Sequence, residues 1–406
     1  MEGLSKQPGR QSKSSLEQIP SFCLLNCLQV FCLLYTEEIQ AMLPFLTQIR
    51  LEDATHEYVE LAKKLVKGIE NLSRLREEDI EIGVTPREVV YQEDKLSLYR
   101  FKPIVEQPFH IPILIVYALV NRPYMVDLQE DRSLVANLLK LGLDIYLIDW
   151  GYPSRADRWL TLDDYINGYI DNCVDAIRQR HGLEKINLLG ICQGGTFSLC
   201  YASLHPDKVK NLIVMVAPVD FLMTNTLLNM RGGCTLGTEA LDIDLMVDAL
   251  GNIPGDFLNF EFLMLKPQQL GIQKYLDFPE IMESEDKLLN FLRMEKWIFD
   301  SPDQAGEAYR QFQKDFYQGN KLIAGEVAIG DRHVDLKTLR MPILNLYAEK
   351  DHLVPPTSSL ALGQYVGTED YTVRSFPVGH IGMYVSGKVQ RDLPPAIADW
   401  VKARAS

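Results

Sequence analysis

The sequence predicts an α/β fold: a mostly parallel sheet flanked by helices and interrupted by a cap or lid insertion. Three observations carry that expectation. Apolar runs of strand length recur at PILIVYALV (112–120), DIYLIDWG (144–151), INLLGICQGG (186–195) and VKNLIVMVAPVDF (209–221), with helical stretches among them. Runs that are apolar at nearly every position suit strands covered on both faces, as parallel sheets require. The rhythm lapses over residues 222–338, then returns with MPILNLYAEKD (341–351) and YTVRSFPVGH (371–380). An insertion between two such strands, at the C-terminal edge of the sheet, lies where it can cover a site.

Taken in order, residues 1–41 are expected to be a poorly ordered extension, or sequence upstream of a start at Met42. Within them Ser21–Tyr35 follows Lys6, Arg10 and Lys13 in the manner of a signal peptide. The run is short for a membrane span, contains Asn26 and Gln29, and is followed by acidic TEE instead of a small-residue cleavage site. Residues 42–221 form the first part of the core. They open with an amphipathic helix from Ala54 to about Leu75, its apolar Tyr58, Leu61, Leu65, Ile69 and Leu72 recurring at helical spacing. Two short strands, REVVYQ and KLSLYRF, follow. Thr161-Leu-Asp-Asp164 starts a further helix in capping-box fashion, with Tyr165, Ile166, Tyr169, Ile170, Cys173 and Ile177 on one side. The insertion is assigned to 222–338 and the second part of the core to 339–406, ending in a helix around Leu393–Ala403. Strand–helix alternation of this kind implies right-handed crossovers.

Composition narrows the function. The chain has 406 residues, 47% of them hydrophobic, enough for one large domain with an insertion or for two domains. A net charge of -14 and a pI near 5.1 exclude general attraction to nucleic acid, which depends on surplus Lys and Arg. Seven cysteines at irregular spacings, with no C-x-x-C pair, point to a reducing cytoplasm and give no zinc or redox site. No metal and no resident cofactor are expected.

Gly190-Ile-Cys192-Gln-Gly194 follows a buried strand and precedes a helical stretch, the setting of a nucleophile elbow in the α/β-hydrolase fold. The turn is sharp enough that a Cβ at either glycine would strike backbone. It leaves the cysteine beside a helix N-terminus, whose dipole stabilises a thiolate. The competing explanation is a buried structural cysteine. In this fold the nucleophile is followed in sequence by an acid and then a histidine, each at a strand end. Asp351 and His380 fill those places, against the alternatives of a turn residue and a loop histidine. His352, next to the acid, is read as a supporting residue, not as the base. The oxyanion donors expected are the backbone N–H of Gln193 and one from Ala118–Asn121, with Val120 preferred. Cys173 and Cys200 are read as core packing. Cys234 lies in the insertion without a visible partner.

A thiol in the elbow favours transfer. Exchange from CoA onto Cys192 swaps one thioester for another, so the acyl group stays activated for a second acceptor such as a hydroxyl. LLGICQGG, VNRPYM with DLQEDRS, YLIDWGYP, TLDDYINGYI, LRMEKWIFDSPDQAGEAYRQF, DHLVPP and GHIGMYVSGK together resemble the class III polyhydroxyalkanoate synthases, over about Gly83–Trp400. The Cys-rich stretch before Met42 departs from that pattern. The resemblance implies catalytic Cys192, Asp351 and His380. It also implies (R)-3-hydroxyacyl-CoA as substrate, typically 3-hydroxybutyryl-CoA, with CoA carried in by the substrate and released. A second, non-catalytic subunit, association with polymer granules in the cytoplasm, and a homodimer or larger assembly are implied too. Two alternatives stand beside it: a Cys-type hydrolase of thioesterase or dienelactone-hydrolase kind, with water as acceptor, and a non-catalytic scaffold subunit.

Overall fold

The computed structural model describes residues 51–223 and 242–405. It falls into two compact units, Met1–Lys67 and Gly68–Ser406. The expectations for residues 1–41 and for Cys234 lie outside the described residues. The described part of the first unit is the opening of helix α1 (Leu51–Arg74). The helix is where its periodicity placed it, but Tyr58, Leu61, Leu65, Ile69 and Leu72 are all exposed. Periodicity identifies a face and says nothing of what covers it.

The second unit is built on eight strands: β1 (Arg87–Glu93), β2 (Leu96–Phe101), β3 (Ile113–Val116), β4 (Ile145–Asp149), β5 (Ile186–Ile191), β6 (Val209–Met215), β7 (Ile343–Ala348) and β8 (Tyr371–Phe376). They hydrogen-bond in the order β1-β2-β4-β3-β5-β6-β7-β8. The pairs β1/β2 and β2/β4 are antiparallel and all the others parallel. From β3 the chain moves outward to β4, then crosses back to β5 on the other side of β3. The C-terminal ends of β3 and β5 therefore form a switch point, where successive connections diverge and open a crevice.

Helices cover both faces of the sheet. On one, α3 (Asp171–His181) and α4 (Gln193–Leu204) share a core with Leu114, Leu188 and Val214. On the other, α2 (Leu134–Lys140) and α9 (Val389–Lys402) pack on Ile115, Leu189 and Ile213. Alternate residues of each central strand thus feed opposite cores, which is why these strands read as nearly continuous apolar runs, broken chiefly by the buried Asn187, Asn211 and Asn345.

Three differences from the sequence reading have local causes. The strands are shorter than the apolar runs: β3 ends at Val116 and β6 at Met215. Tyr117–Leu119 and Ala217–Val219 are apolar because they are buried loop, and Phe221, opening a short 3-10 turn, lies edge-on to Phe312 and Phe316 at 5.9 and 5.6 Å. The Thr161–Asp164 capping box is present in both directions: the Asp164 carboxylate accepts from the Thr161 N–H at 2.7 Å, and Thr161 Oγ1 accepts from the Asp164 N–H at 3.3 Å. Yet Asp164–Ile170 winds as a π-helix, with Tyr165 edge-to-face between Trp150 and Tyr169 at 5.5 and 5.6 Å. Finally, α9 starts at Val389, ahead of Leu393, so that Pro394 and Pro395 fall inside it. The extra turn is held by Gln390, which donates to the Tyr384 carbonyl at 2.6 Å and accepts from Asn137 at 2.9 Å.

Between β6 and β7 the described chain is largely helical: α5 (Ile243–Leu250), α6 (Gly255–Met264), α7 (Glu285–Phe299) and α8 (Gly306–Gln311), the last running into a π-helix at Phe312–Gln318. Phe312 meets Phe197 of α4 edge-on at 5.8 Å, so this segment is anchored in the same core as the helix behind the elbow.

Candidate active site

Strand β5 delivers the chain to Cys192 at the switch point. The residue has φ +55° and ψ -125°, a conformation that side chains other than glycine rarely adopt and that stores about 1–3 kcal/mol. Two close approaches make this bend possible. A Cβ on Gly190 would lie 2.5 Å from Gly195 Cα, and one on Gly194 would lie 2.2 Å from the Val116 carbonyl oxygen. The Cys192 N–H donates to Met215 O at 2.9 Å, and its carbonyl accepts from Gly195 at 2.8 Å to open α4. The sulfur thus sits at the N-terminus of a helix buried along its whole length, where the unpaired N–H groups favour negative charge.

Asp351 follows β7 and His380 follows β8. The two buried side chains meet, His380 Nδ1–H donating to Asp351 Oδ2 at 2.7 Å. The other carboxylate oxygen accepts from the N–H groups of Leu353 and Val354, both at 2.9 Å, which leaves Oδ2 aimed at the ring. His380 is 3% exposed, and Cys192 is near enough for its charge to act on the ring as that of Asp351 does. Burial pushes its pKa down, but the charges of Asp351 and Cys192 outweigh that and raise it to about 10. His352 makes no such bond. It is half-buried at the cavity wall, its pKa lowered by burial and then by Lys266.

The loop after β3 is fixed from several directions. Gln193 turns its side chain back, and its Oε1 accepts from the Leu119 N–H at 3.0 Å. Trp150 Nε1 donates to the Tyr117 carbonyl at 3.0 Å. Asn121 has φ +58°, and its amide donates to Asn259 Oδ1 at 3.3 Å and Ser301 Oγ at 2.5 Å. With the Leu119 N–H engaged, Val120 is the next residue along the loop, and it lines the same cavity as Cys192 and Gln193.

That cavity measures about 330 Å³ and is lined mainly by apolar side chains, with Cys192 and His380 in its wall. Residues that sequence reasoning did not single out complete it. Tyr117 and Tyr384 are buried and cross at 6.4 Å in the cavity that holds Cys192; burial keeps both phenols protonated. Tyr384 stands edge-on to His380 at 6.4 Å. The signal available for Tyr384 was its place four residues beyond His380 on one helical turn. Tyr117 had none, being one apolar residue in an apolar run. Cys173 and Cys200 are buried, and burial pushes the Cys200 thiol up to about 12. Among the described residues no cluster of His, Cys, Asp and Glu could hold a metal ion.

Comparison with known proteins agrees with this architecture. Residues 111–386 match the family model for the alpha/beta hydrolase fold, and residues 53–138 that for the poly-beta-hydroxybutyrate polymerase (PhaC) N-terminus. The chain is 75% identical to the poly(3-hydroxyalkanoate) polymerase subunit PhaC of Synechocystis sp., over 90% of this chain and 97% of that one. It is 55% identical to the protein of the same name from Allochromatium vinosum, over 89% of this chain and all of that one. A carboxyl esterase from Bacillus coagulans, 10% identical, superposes with a TM-score of 0.54 over 79% of this chain and 99% of that one, and so shares its fold. The chain therefore belongs to the PhaC family of poly(3-hydroxyalkanoate) polymerase subunits, acyltransferases built on the α/β-hydrolase fold.

Proposed function

We propose that this chain is the catalytic subunit of a poly(3-hydroxyalkanoate) polymerase, and that it grows polyester on Cys192 from (R)-3-hydroxyacyl-CoA, 3-hydroxybutyryl-CoA being the typical monomer. The observation that carries the reading is the buried Asp351–His380 pair, closed at 2.7 Å and set against a cysteine in a strained turn. Cys192 Sγ, with its proton on His380, attacks the thioester carbonyl. The C–S bond to CoA breaks, and the leaving CoA sulfur takes the proton from His380 Nε2. The oxyanion formed on the way is met by the backbone N–H groups of Gln193 and Val120.

Acylation removes the thiolate charge, one of the causes that raise the His380 pKa. The imidazolium is thereby less favoured, and the neutral ring that the second step needs as its base is more readily present. It takes the proton from the 3-hydroxyl of an acceptor, whose oxygen attacks the acyl carbonyl, and Cys192 leaves as thiolate with an ester bond formed. Asp351 holds the ring in one tautomer throughout.

The apolar cavity favours a hydroxyl acceptor over water, because it shields the acyl thioester from solvent. The segment 222–338, which supplies Leu258, Phe262 and Phe312 to that cavity, acts as its cap. The relatives' names include the word subunit. By extension this chain works with a second, non-catalytic subunit, as a homodimer or larger assembly at the surface of cytoplasmic granules. Among the described residues no helix is long and apolar enough to cross a membrane. The test is to supply 3-hydroxybutyryl-CoA and analyse the product. Released CoA together with polymer is expected, whereas released CoA with free hydroxy acid alone would mark a hydrolase.

A further inference from the structure

Two buried amides in the cavity take no part in the chemistry above. Gln313, in the π-helix Phe312–Gln318, is 8% exposed, and Gln304, just before α8, is 4% exposed. Both line the cavity that holds Cys192. Among the described residues no hydrogen bond ties either side-chain amide to the protein, and neither amide is sealed away among the fully buried polar atoms, so both are open to the cavity. Buried polar groups are paired in the great majority of cases, and leaving one unpaired is unfavourable by more than a typical hydrogen bond contributes. Two such groups, in a cavity lined also by Leu258, Phe262 and Phe312, can pair with a molecule that enters it. π-helices are rare and are frequent at functional sites; here the widened turn carries both Gln313 and Tyr317 to the wall.

The chemistry of that partner follows from the wall. It must be largely apolar, yet present isolated acceptors to amide N–H donors. A hydroxyacyl polyester has this character: hydrocarbon along its length, one ester carbonyl per repeat, and no N–H group. The first acyl unit on Cys192 lies beside His380, Tyr117 and Tyr384, which the loops at the sheet edge supply. Gln304 and Gln313 belong instead to the insertion, and they suit the units that follow.

We propose that Gln313 and Gln304 donate hydrogen bonds from their side-chain Nε2 to ester carbonyl oxygens of the polyester chain in the cavity, forming a subsite that favours an elongated acyl chain over a single monomer. This inference rests on the polymerase reading above. The test compares two probes, 3-hydroxybutyryl-CoA and the CoA thioester of a 3-hydroxybutyrate trimer, measuring kcat/KM for CoA release by wild type and by Gln313→Met. The variant keeps side-chain length and removes the donor. The expected result is a loss with the trimer that exceeds the loss with the monomer roughly fivefold, as one neutral hydrogen bond allows. Equal losses with the two probes, or none, overturn the proposal. If Gln313→Met does not fold, Gln304→Met serves under the same criterion. A wild-type protein that releases CoA from neither probe overturns the polymerase reading and this subsite with it, an outcome distinct from an active wild type whose variants keep the same trimer-to-monomer ratio.

Discussion

Cys192→Ala is expected to lower steady-state CoA release from 3-hydroxybutyryl-CoA by at least about 10⁴-fold, with the fold retained. The side chain lost is small, and the bend that holds it is maintained by backbone contacts: Cys192 N–H to Met215 O, Gly195 N–H to Cys192 O, and the glycine approaches on either side. Circular dichroism and thermal unfolding of the variant should therefore match wild type closely. Cys192→Ser separates the two half-reactions. A hydroxyl in the same place can accept the acyl group, but as an oxygen ester, which is no longer activated toward the next hydroxyl. The expected outcome is at most about one CoA released per site, followed by arrest, read in a rapid-quench or stopped-flow assay. Continued turnover by the serine variant at the wild-type rate would remove the energetic reason for a thiol.

Asp351→Asn is the second large effect, about 10²- to 10⁴-fold in kcat/KM at neutral pH. The substituted amide keeps an oxygen for the N–H groups of Leu353 and Val354, so the loop after β7 should hold. Its nitrogen, placed where Oδ2 now accepts, donates to His380 Nδ1 and forces the imidazole proton onto the nitrogen facing Cys192. A ring in that tautomer cannot take the thiol proton. The pH dependence has a definite sign. In wild type, burial opposes the imidazolium while the charges of Asp351 and Cys192 favour it more strongly, giving a folded pKa of about 10, above the ordinary value of 6.5. The stabilisation this group contributes is fully present below pH 6.5 and is lost as pH rises through about 10. In Asp351→Asn the first of the favourable charges is gone and burial remains, so the imidazolium is lost at lower pH. The alkaline limb of Cys192 alkylation by iodoacetamide, referenced to wild type, is expected to move toward neutrality. A limb that stays where it was would show that the carboxylate does not set the protonation of His380.

Much of the strand framework could be read from residue order, because burial on both faces imposes mainly apolar runs on β3 to β7. The elbow was equally legible: a Cβ added at Gly194 would lie 2.2 Å from the Val116 carbonyl oxygen and one at Gly190 2.5 Å from Gly195 Cα, so no other residue type fits. Asp351 and His380 could be located because they lie in the loops that leave their strands, which end at Ala348 and Phe376. What the residues concealed had one common cause, that an apolar side chain reports burial and not conformation. Tyr117–Leu119 and Ala217–Val219 read as strand and are buried loop. Tyr165–Ile170 read as an ordinary helical turn and is a π-helix, since both windings place Tyr165 and Tyr169 inside. Gln304 and Gln313 were hidden for the opposite reason, as an isolated glutamine looks like a solvated one until its burial is known.

The central claim is that Cys192 carries the acyl chain covalently, and mass spectrometry of the chain itself tests it most directly. Wild-type protein is mixed with 3-hydroxybutyryl-CoA, quenched in acid within one turnover, and digested. The account predicts an added mass of one or more hydroxyacyl units confined to the peptide that contains Cys192, removable by neutral hydroxylamine as a thioester is, and absent from Cys192→Ala. Quenched protein that has released CoA and formed polymer, with its label on another residue or on none, would contradict it.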